Sequence, residues 1–210
     1  MKKLVLATMV AIMAFSGLAA AQDVGVYFDA AGTQMTTQVS EISILHAYCI
    51  ASGLTNTGVA GFELQLTQTG PLNLYNFTYP AGSGAINIQT APTFLVGFSS
   101  PLPVVDGNFT LFELDVLVMS ANPANWDYYG YDPNNPNDNE FEARIIAKEI
   151  FFHSLPEQVP AFLDENGEIK PLGIAVNDGY RGQAWSTVIG QFGPVATDDA
   201  SWDGVKSLYR

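Results

Sequence analysis

Two stretches, GFELQLT at 61–67 and FTLFELDVLVM at 109–119, alternate apolar and polar residues along the chain. In an extended chain, successive side chains point to opposite faces of a sheet, so this alternation is typical of β-strands with one buried face. The residues expected to face the core are Phe62, Leu64, Leu66, Phe112, Leu114, Val116 and Val118. Those expected to face outward are Glu63, Gln65, Thr67, Glu113 and Asp115. The first stretch predicts a half-buried strand, and the longer one predicts a central strand.

Four further segments are rich in β-branched and aromatic residues and are separated by Gly, Pro, Asn or Ser. They are VGVYF (24–28), ISILHAYCIA (42–51), LNLYNFTY (72–79) and TFLVGFSS (93–100). A change of apolar parity between Leu74 and Tyr75 predicts a β-bulge in the third of them. Many short strands without intervening helices predict an all-β, jelly-roll-like sandwich of two antiparallel sheets.

The second half of the chain is more varied. FEARIIAKEIFFH (141–153) fits a helical as well as an extended pattern, and we interpret it as a strand. In AFLDENGEIKPL (161–172), the Asn166-Gly167 pair suits the positive φ angles of a tight hairpin turn. Only the end, at about 200–209, has apolar residues at helical spacing and predicts a short C-terminal helix. Residues 120–140 are rich in Pro and Asn and predict a long loop.

The first 21 residues have the pattern of a signal peptide. Lys2 and Lys3 precede a short apolar run, and Ala19-Ala20-Ala21 forms a small-residue cleavage site. We therefore expect cleavage after Ala21 and one domain over 22–210, secreted to the periplasm, the cell surface or the medium. The apolar run is shorter than the roughly 20 residues that a spanning helix needs, so no membrane insertion is expected.

The charge is strongly acidic and unevenly distributed. The formal net charge is −13, and no Lys or Arg occurs between Gln22 and Ala143. Binding to nucleic acid or to anionic lipid depends on Lys and Arg, so both classes of ligand are excluded. Cations, neutral sugars and basic protein surfaces remain as possible ligands.

Residues 58–119, taken as an ordered set of strands, resemble cohesin domains and related cellulose-binding sandwiches. The resemblance rests on GVAGFELQLTQTGPLNLYNFTYPAGSG followed by TFLVGFSSPLPVVDGNFTLFELDVLVM, and it includes no catalytic motif. It implies a jelly-roll-like sandwich that acts as a non-catalytic binding module at a cell surface or on extracellular polysaccharide.

The long loop contains two groups of candidate ligand-binding residues. The first consists of aromatic rings that could stack on sugars or could instead pin the loop to the sandwich: Trp126, Tyr128, Tyr129 and Tyr131. The second offers oxygen ligands of the kind that Ca²⁺ prefers, although without EF-hand spacing: Asp132, Asn134, Asp138 and Glu140. A further acidic group at Asp164, Glu165 and Glu168 flanks the hairpin turn and is expected to be solvated.

The sequence carries no recognisable catalytic motif. A histidine-based triad would have to use His46 or His153, and His46 lies in a predicted core strand, where a buried, hydrogen-bonded imidazole is expected. The single cysteine, Cys49, lies in the same strand and is expected to be a buried structural thiol. We therefore predict no catalytic residues, although a pair of carboxylates for glycoside hydrolysis would leave no sequence motif.

Two N-x-T motifs, at Asn76-Phe77-Thr78 and Asn108-Phe109-Thr110, fit the acceptor pattern for N-linked glycans. Both lie in or beside predicted strands. From the sequence we interpret the residues of both motifs as strand residues.

Three hypotheses for function follow from the sequence. The first is a secreted, non-catalytic module that binds polysaccharide or a protein partner. The second is a structural subunit of the cell surface that assembles through strand edges. The third is a glycoside-processing enzyme.

Overall fold

The computed structural model describes residues 22–128, 141–151, 154–176 and 187–191. The predicted signal peptide, residues 129–140 of the long loop and the predicted C-terminal helix lie outside these residues. Within the described part of the chain, no helix is long and apolar enough to cross a membrane.

The regular secondary structure of the described residues is β-strand, apart from one 3-10 turn at Pro123–Asn125. The strands are β1 (Asp23–Tyr27), β2 (Thr36–Val39), β3 (Ser43–Ser52), β4 (Gly58–Gln68), β5 (Leu72–Thr78), β6 (Ile86–Asn87), β7 (Thr93–Pro103), β8 (Phe109–Val118), β9 (Asp127–Tyr128), β10 (Phe141–Lys148), β11 (Ala161–Asp164), β12 (Ile169–Pro171), β13 (Gly173–Ile174) and β14 (Thr187–Gln191). The interpretation of 141–153 as a strand is confirmed for its first eight residues.

The strands form two sheets. Sheet A has the order β13-β1-β3-β8-β5. Sheet B is centred on β4. One edge of β4 pairs with β11, which continues to β12, and further along with β10, which continues to β14 and β2. The other edge of β4 pairs with β7, which continues to β6, and the short β9 pairs with β10. Neighbouring strands are antiparallel except in the pairs β1–β13 and β14–β2. The predicted all-β sandwich of two mainly antiparallel sheets is confirmed.

Aromatic rings from both sheets meet in the core. Phe62 and Phe94 of sheet B pack against Phe112 of sheet A, with ring centroids 5.8 Å and 4.4 Å away from that of Phe112. All three side chains are at most 3% exposed. Burying a phenylalanine side chain contributes about 1.5–3 kcal/mol, so this cluster holds the two sheets together.

Two local predictions are confirmed by backbone geometry. In β5, the register against β8 shifts between Tyr75 and Thr78, and Asn76 has a φ of 54°, which is the predicted bulge. In the hairpin between β11 and β12, Gly167 has a φ of 82° and donates its N–H to the Asp164 carbonyl. Glycine adopts this conformation without steric cost, so the turn needs it.

Cys49 lies in β3 with its side chain fully buried between the sheets. Burial raises the pKa of its thiol far above the usual range, because a thiolate has no solvation there. The expectation of a structural thiol agrees with this environment.

Candidate functional site

The outer face of sheet B has no side chains along part of its centre. Gly61 of β4 pairs with Gly97 of β7, next to the core pair formed by Phe62 and Val96. Since side chains alternate between faces, both positions belong to the outer face of the sheet, where Gly97 is exposed and Gly61 is buried. A Cβ atom placed on Gly97 would meet no atom of the described residues within 4 Å, so among them the space above it is open.

At position 61, in contrast, there is no room for a side chain. A Cβ atom there would lie 2.5 Å from the carbonyl oxygen of Val96, which is far inside van der Waals contact. The β4–β7 register shifts beside it, between Val59 and Gly61, so the two backbones approach closely at this irregularity. The fold therefore requires glycine at 61, whereas the residues that the structure describes leave room for a side chain at 97.

Aliphatic side chains stand on both sides of the two glycines. On one side, Gly97 pairs across the strands with Ile86 of β6. On the other side, Gly61 pairs with Leu163 of β11, which pairs in turn with Ile169 of β12. Three isoleucines of these walls are largely in solvent: Ile86 is 67% exposed, Ile88 is 70% and Ile169 is 47%. We call this surface the glycine groove; its floor is Gly61 and Gly97, and its walls are Ile86, Ile88, Leu163 and Ile169.

The groove contains two adjoining depressions that share Leu95 and Val96 in their lining. One, of about 150 Å³, lies over β4 and β11. The other, of about 420 Å³, lies over β6 and β7. Contiguous exposed apolar surface of this kind marks interaction sites in soluble proteins.

Glu63 is a buried carboxylate beside the smaller depression. It is 4% exposed, and Ser154 donates to both of its oxygens, from the backbone N–H at 2.7 Å and from the hydroxyl at 2.6 Å. Glu63 lies on the outer face of sheet B, as expected. It is nevertheless buried and not exposed to solvent, because Ser154 covers it. These bonds offset the cost of removing the carboxylate from water.

Basic groups are scarce around the groove. Lys170, next to Ile169, is held by the carboxylates of Asp164 at 3.1 Å and Glu168 at 3.4 Å. Arg144 is fully buried and pairs with Glu142 at 2.9 Å inside the protein. Of the three basic side chains in the described part of the chain, Arg144 and Lys170 are thus paired with carboxylates, and Lys148 lies on β10.

The environment of His46 differs from the sequence expectation. Its side chain is 48% exposed on the outer face of sheet A, so the prediction of a buried imidazole is wrong. Its Nδ1 lies 3.0 Å from Asp115, and its Nε2 lies 3.1 Å from Glu113, both on β8. The Asp115 bond, followed by that of Glu113, raises the pKa of His46 above its usual value despite some desolvation. Asn76 donates to the other oxygen of Asp115 at 2.7 Å.

The aromatic residues predicted to bind sugars are not all available to a ligand. Trp126 is only 5% exposed, packs in the main core and donates its indole N–H to the Ser120 carbonyl at 2.9 Å. It pins the start of the loop to the sandwich and presents no free ring face. Tyr128 is 64% exposed and packs against Phe141, with ring centroids 5.7 Å apart.

Several predicted site residues lie outside the described residues. They are Tyr129 and Tyr131 of the aromatic group, His153, and the calcium ligands Asp132, Asn134, Asp138 and Glu140. Among the residues that the structure describes, no group of three or more His, Cys, Asp or Glu side chains could hold a metal ion.

The acidic group at the β11–β12 hairpin has structural partners, so the expectation that it is solvated is wrong for two of its members. Asp164 is fully buried and accepts the N–H groups of Asn166 and Glu168. Glu165 accepts bonds from the Thr57 N–H and hydroxyl and from the Gly58 N–H. Its own backbone N–H and these donors outweigh desolvation and lower the pKa of Glu165 to about 2.

Sequence reasoning missed the glycine groove. Gly61 and Gly97 are 36 positions apart, and only the β4–β7 register brings them together. A signal was nevertheless present, because each glycine interrupts a strand otherwise rich in apolar residues.

No protein-family model and no curated protein matches the chain. Solved structures do. The sixth cohesin of scaffoldin B from Acetivibrio cellulolyticus, solved with a Cel5 dockerin mutant, is 10% identical with a TM-score of 0.49 over 82% of this chain and 100% of that one. A complex of a CaDoc0917 variant with CaCohA2 gives 11% identity and a TM-score of 0.45 over 81% and 98% of the two chains.

A third match is the third ScaB cohesin of R. flavefaciens, solved with a group 1 dockerin, at 11% identity and a TM-score of 0.40 over 83% and 99% of the two chains. All three identities are at most 11%, and all three TM-scores are below 0.5.

Proposed function

We propose that the chain is an exported, non-catalytic binding module whose ligand is a protein partner docked on the glycine groove. The observation that carries this proposal is the pair of isoleucine walls above a floor without side chains. Exposing three isoleucines to water is unfavourable, and covering them would recover about 25 cal/mol for each Å² of apolar surface removed from solvent. An exposed apolar groove of this kind suits a complementary apolar ridge.

The chemistry of the groove favours a protein over a polysaccharide. Sugars are recognised by flat aromatic rings and by polar groups that bond hydroxyls. The described walls of the groove are aliphatic instead, and the carboxylate of Glu63 is already bonded by Ser154. We therefore assign the groove to protein and leave polysaccharide as an outcome of the test.

The acidity of the chain indicates that its partner is basic. Because the chain has a net charge of −13 and no Lys or Arg from 22 to 143, a basic partner would be attracted over long range. The partner we propose carries an apolar ridge flanked by Lys and Arg. Binding of this partner should weaken as the salt concentration rises, because salt screens the attraction between the acidic chain and the partner's Lys and Arg residues and leaves the apolar contact unchanged.

The test uses residues 22–210 immobilised and exposed to the extracellular fraction of the source culture. Gly97→Leu fills the groove, and its Cβ enters open space, so the fold should tolerate it. Ile44→Asp is the matched control, because Ile44 is 61% exposed on the opposite sheet. Unfolding curves verify that each variant is folded.

The proposal predicts a protein that binds the unmodified domain and Ile44→Asp but not Gly97→Leu. Equal capture by all three would contradict the groove assignment. A glycan array read in parallel tests the alternative: a glycan signal that Gly97→Leu abolishes would make the ligand a polysaccharide. Concentration-dependent dimers that the same variant dissolves would make it a second copy of this chain.

A further inference from the structure

The structure separates the two N-x-T motifs. Asn76 lies at the bulge of β5, and its side-chain nitrogen is held 2.7 Å from Asp115 against the outer face of sheet A. Asn108 lies instead at the end of the hairpin turn between β7 and β8, with its side chain exposed. No hydrogen bond of the Asn108 side-chain amide occurs in the described structure.

The turn before Asn108 is a two-residue hairpin turn. Val105 and Asn108 exchange two backbone bonds, of 3.0 Å and 2.8 Å. Asp106 and Gly107 between them have φ values of 50° and 75°, which is the pattern of a type I′ turn. Such a turn projects from the end of the sandwich, so a large group on Asn108 would extend into solvent.

Asn108 and Thr110 lie on the same side of the chain. Phe109, between them, is 6% exposed and packs in the core, so its two neighbours point away from the core. The N-x-[ST] pattern requires a hydroxyl two residues after the asparagine. In this chain that hydroxyl and the acceptor amide share one surface.

That surface includes space for a sugar. Asn108 and Thr110 line an open depression of about 400 Å³ whose other lining residues, apart from Asp106, are small or apolar, among them Ala30, Ala31 and Pro80. The ring face of a first sugar residue attached to Asn108 could pack on this surface. At Asn76, by contrast, the nitrogen lies against Asp115, and a sugar there would disturb the bonds that Asp115 makes to Asn76 and His46.

We propose that Asn108 is the acceptor of an N-linked glycan, added during export from an oligosaccharide carried on a lipid pyrophosphate. The Asn108 side-chain nitrogen forms a bond to C1 of the first sugar, the bond from C1 to the pyrophosphate oxygen breaks, and the lipid pyrophosphate leaves. The amide proton passes to a base of the transferase. This inference goes beyond the proposed binding function and rests only on the export that is part of it.

The test is the intact mass of the full chain, with its own leader, secreted by the source organism or by a host with an N-glycosylation system. The proposal predicts the mass of one glycan, removed by a peptide amidase specific for N-glycans. Asn108→Gln and Thr110→Ala should lose that mass. Thr110→Ser and Asn76→Gln should keep it, which separates loss of the acceptor from a general effect of substitution.

The N-terminal sequence distinguishes the two ways of failing. A processed chain that begins at Gln22 and carries no glycan would overturn the modification and leave export standing. A chain that retains residues 1–21 would contradict export and the modification together. A glycan on Asn76 that persists in Asn108→Gln would also overturn the assignment.

Discussion

The pairing of Glu63 with Ser154 gives a prediction whose magnitude can be worked from the structure. Glu63 is 4% exposed, and the Ser154 hydroxyl donates to it at 2.6 Å. Hydrogen bonds to a charged group contribute about 1.5–3 kcal/mol, so Ser154→Ala should lower the free energy of unfolding by about that amount. The backbone N–H of residue 154 would remain bonded at 2.7 Å, so the carboxylate keeps one partner.

A double-mutant cycle isolates the pair. With Glu63→Ala as the second substitution, we expect a coupling energy of about 1.5–3 kcal/mol between the two positions, measured by urea unfolding of residues 22–210. In a domain of this size, about 2 kcal/mol corresponds to a shift of roughly 4–8 °C in the melting temperature. Glu113→Ala on the other sheet is the control partner and should show additivity with Ser154→Ala. A Glu63–Ser154 coupling below about 0.5 kcal/mol would refute the reasoning.

Four other substitutions or titrations test the account of the fold. Gly61→Ala should destabilise the domain by roughly 2 kcal/mol or more, because its Cβ would lie 2.5 Å from the Val96 carbonyl oxygen; unchanged chemical denaturation would contradict the close approach. Trp126→Ala should cost about 3–5 kcal/mol of stability, and a loss under about 1 kcal/mol would mean that the ring is not in the core. The pKa of His46, followed by NMR, should lie above 6.5. Its hydrogen bonds to the two carboxylates then stabilise the fold below pH 6.5, and this stabilisation is lost as the pH rises through the folded-state pKa. A pKa at or below 6.5 would argue against the two carboxylate contacts. Glu165, with a folded-state pKa of about 2, should contribute stability above about pH 4.5 that is lost as the pH falls toward 2, and Glu165→Gln should flatten that part of the stability profile.

The strands of the core were predictable from sequence because alternation directly encodes which face is buried. Phe112 and Leu114 face the core as expected, whereas Glu113 and Asp115 point outward. The bulge in β5 was also predictable, because an extra residue in a strand shifts the parity of its apolar positions.

The exposure of His46, in contrast, could not be predicted from alternation. In β3 both faces carry apolar residues: Ala47 and Cys49 face the core, while Ile44 and Tyr48 share the outer face with His46. When both sets are apolar, alternation no longer indicates which set is buried. The strand was therefore predicted correctly while the exposure of its histidine was not.

The candidate site depends on long-range contacts that the local sequence does not encode. Ser154 lies 91 positions from Glu63, and the glycine groove exists only through the registers of β6, β7, β4, β11 and β12. Local composition predicted a site in the 120–140 loop instead, because aromatic and acidic residues are concentrated there. In the described part of that loop, Trp126 packs in the core and Tyr128 remains exposed.

The central claim is that the glycine groove binds a protein partner. The most direct measurement is calorimetric titration of the captured partner into residues 22–210 and into the Gly97→Leu and Ile44→Asp variants. We expect Gly97→Leu to weaken binding at least tenfold, about 1.4 kcal/mol, with Ile44→Asp unchanged. Unaltered affinity in Gly97→Leu, or a loss in Ile44→Asp alone, would contradict the claim and place the interaction elsewhere.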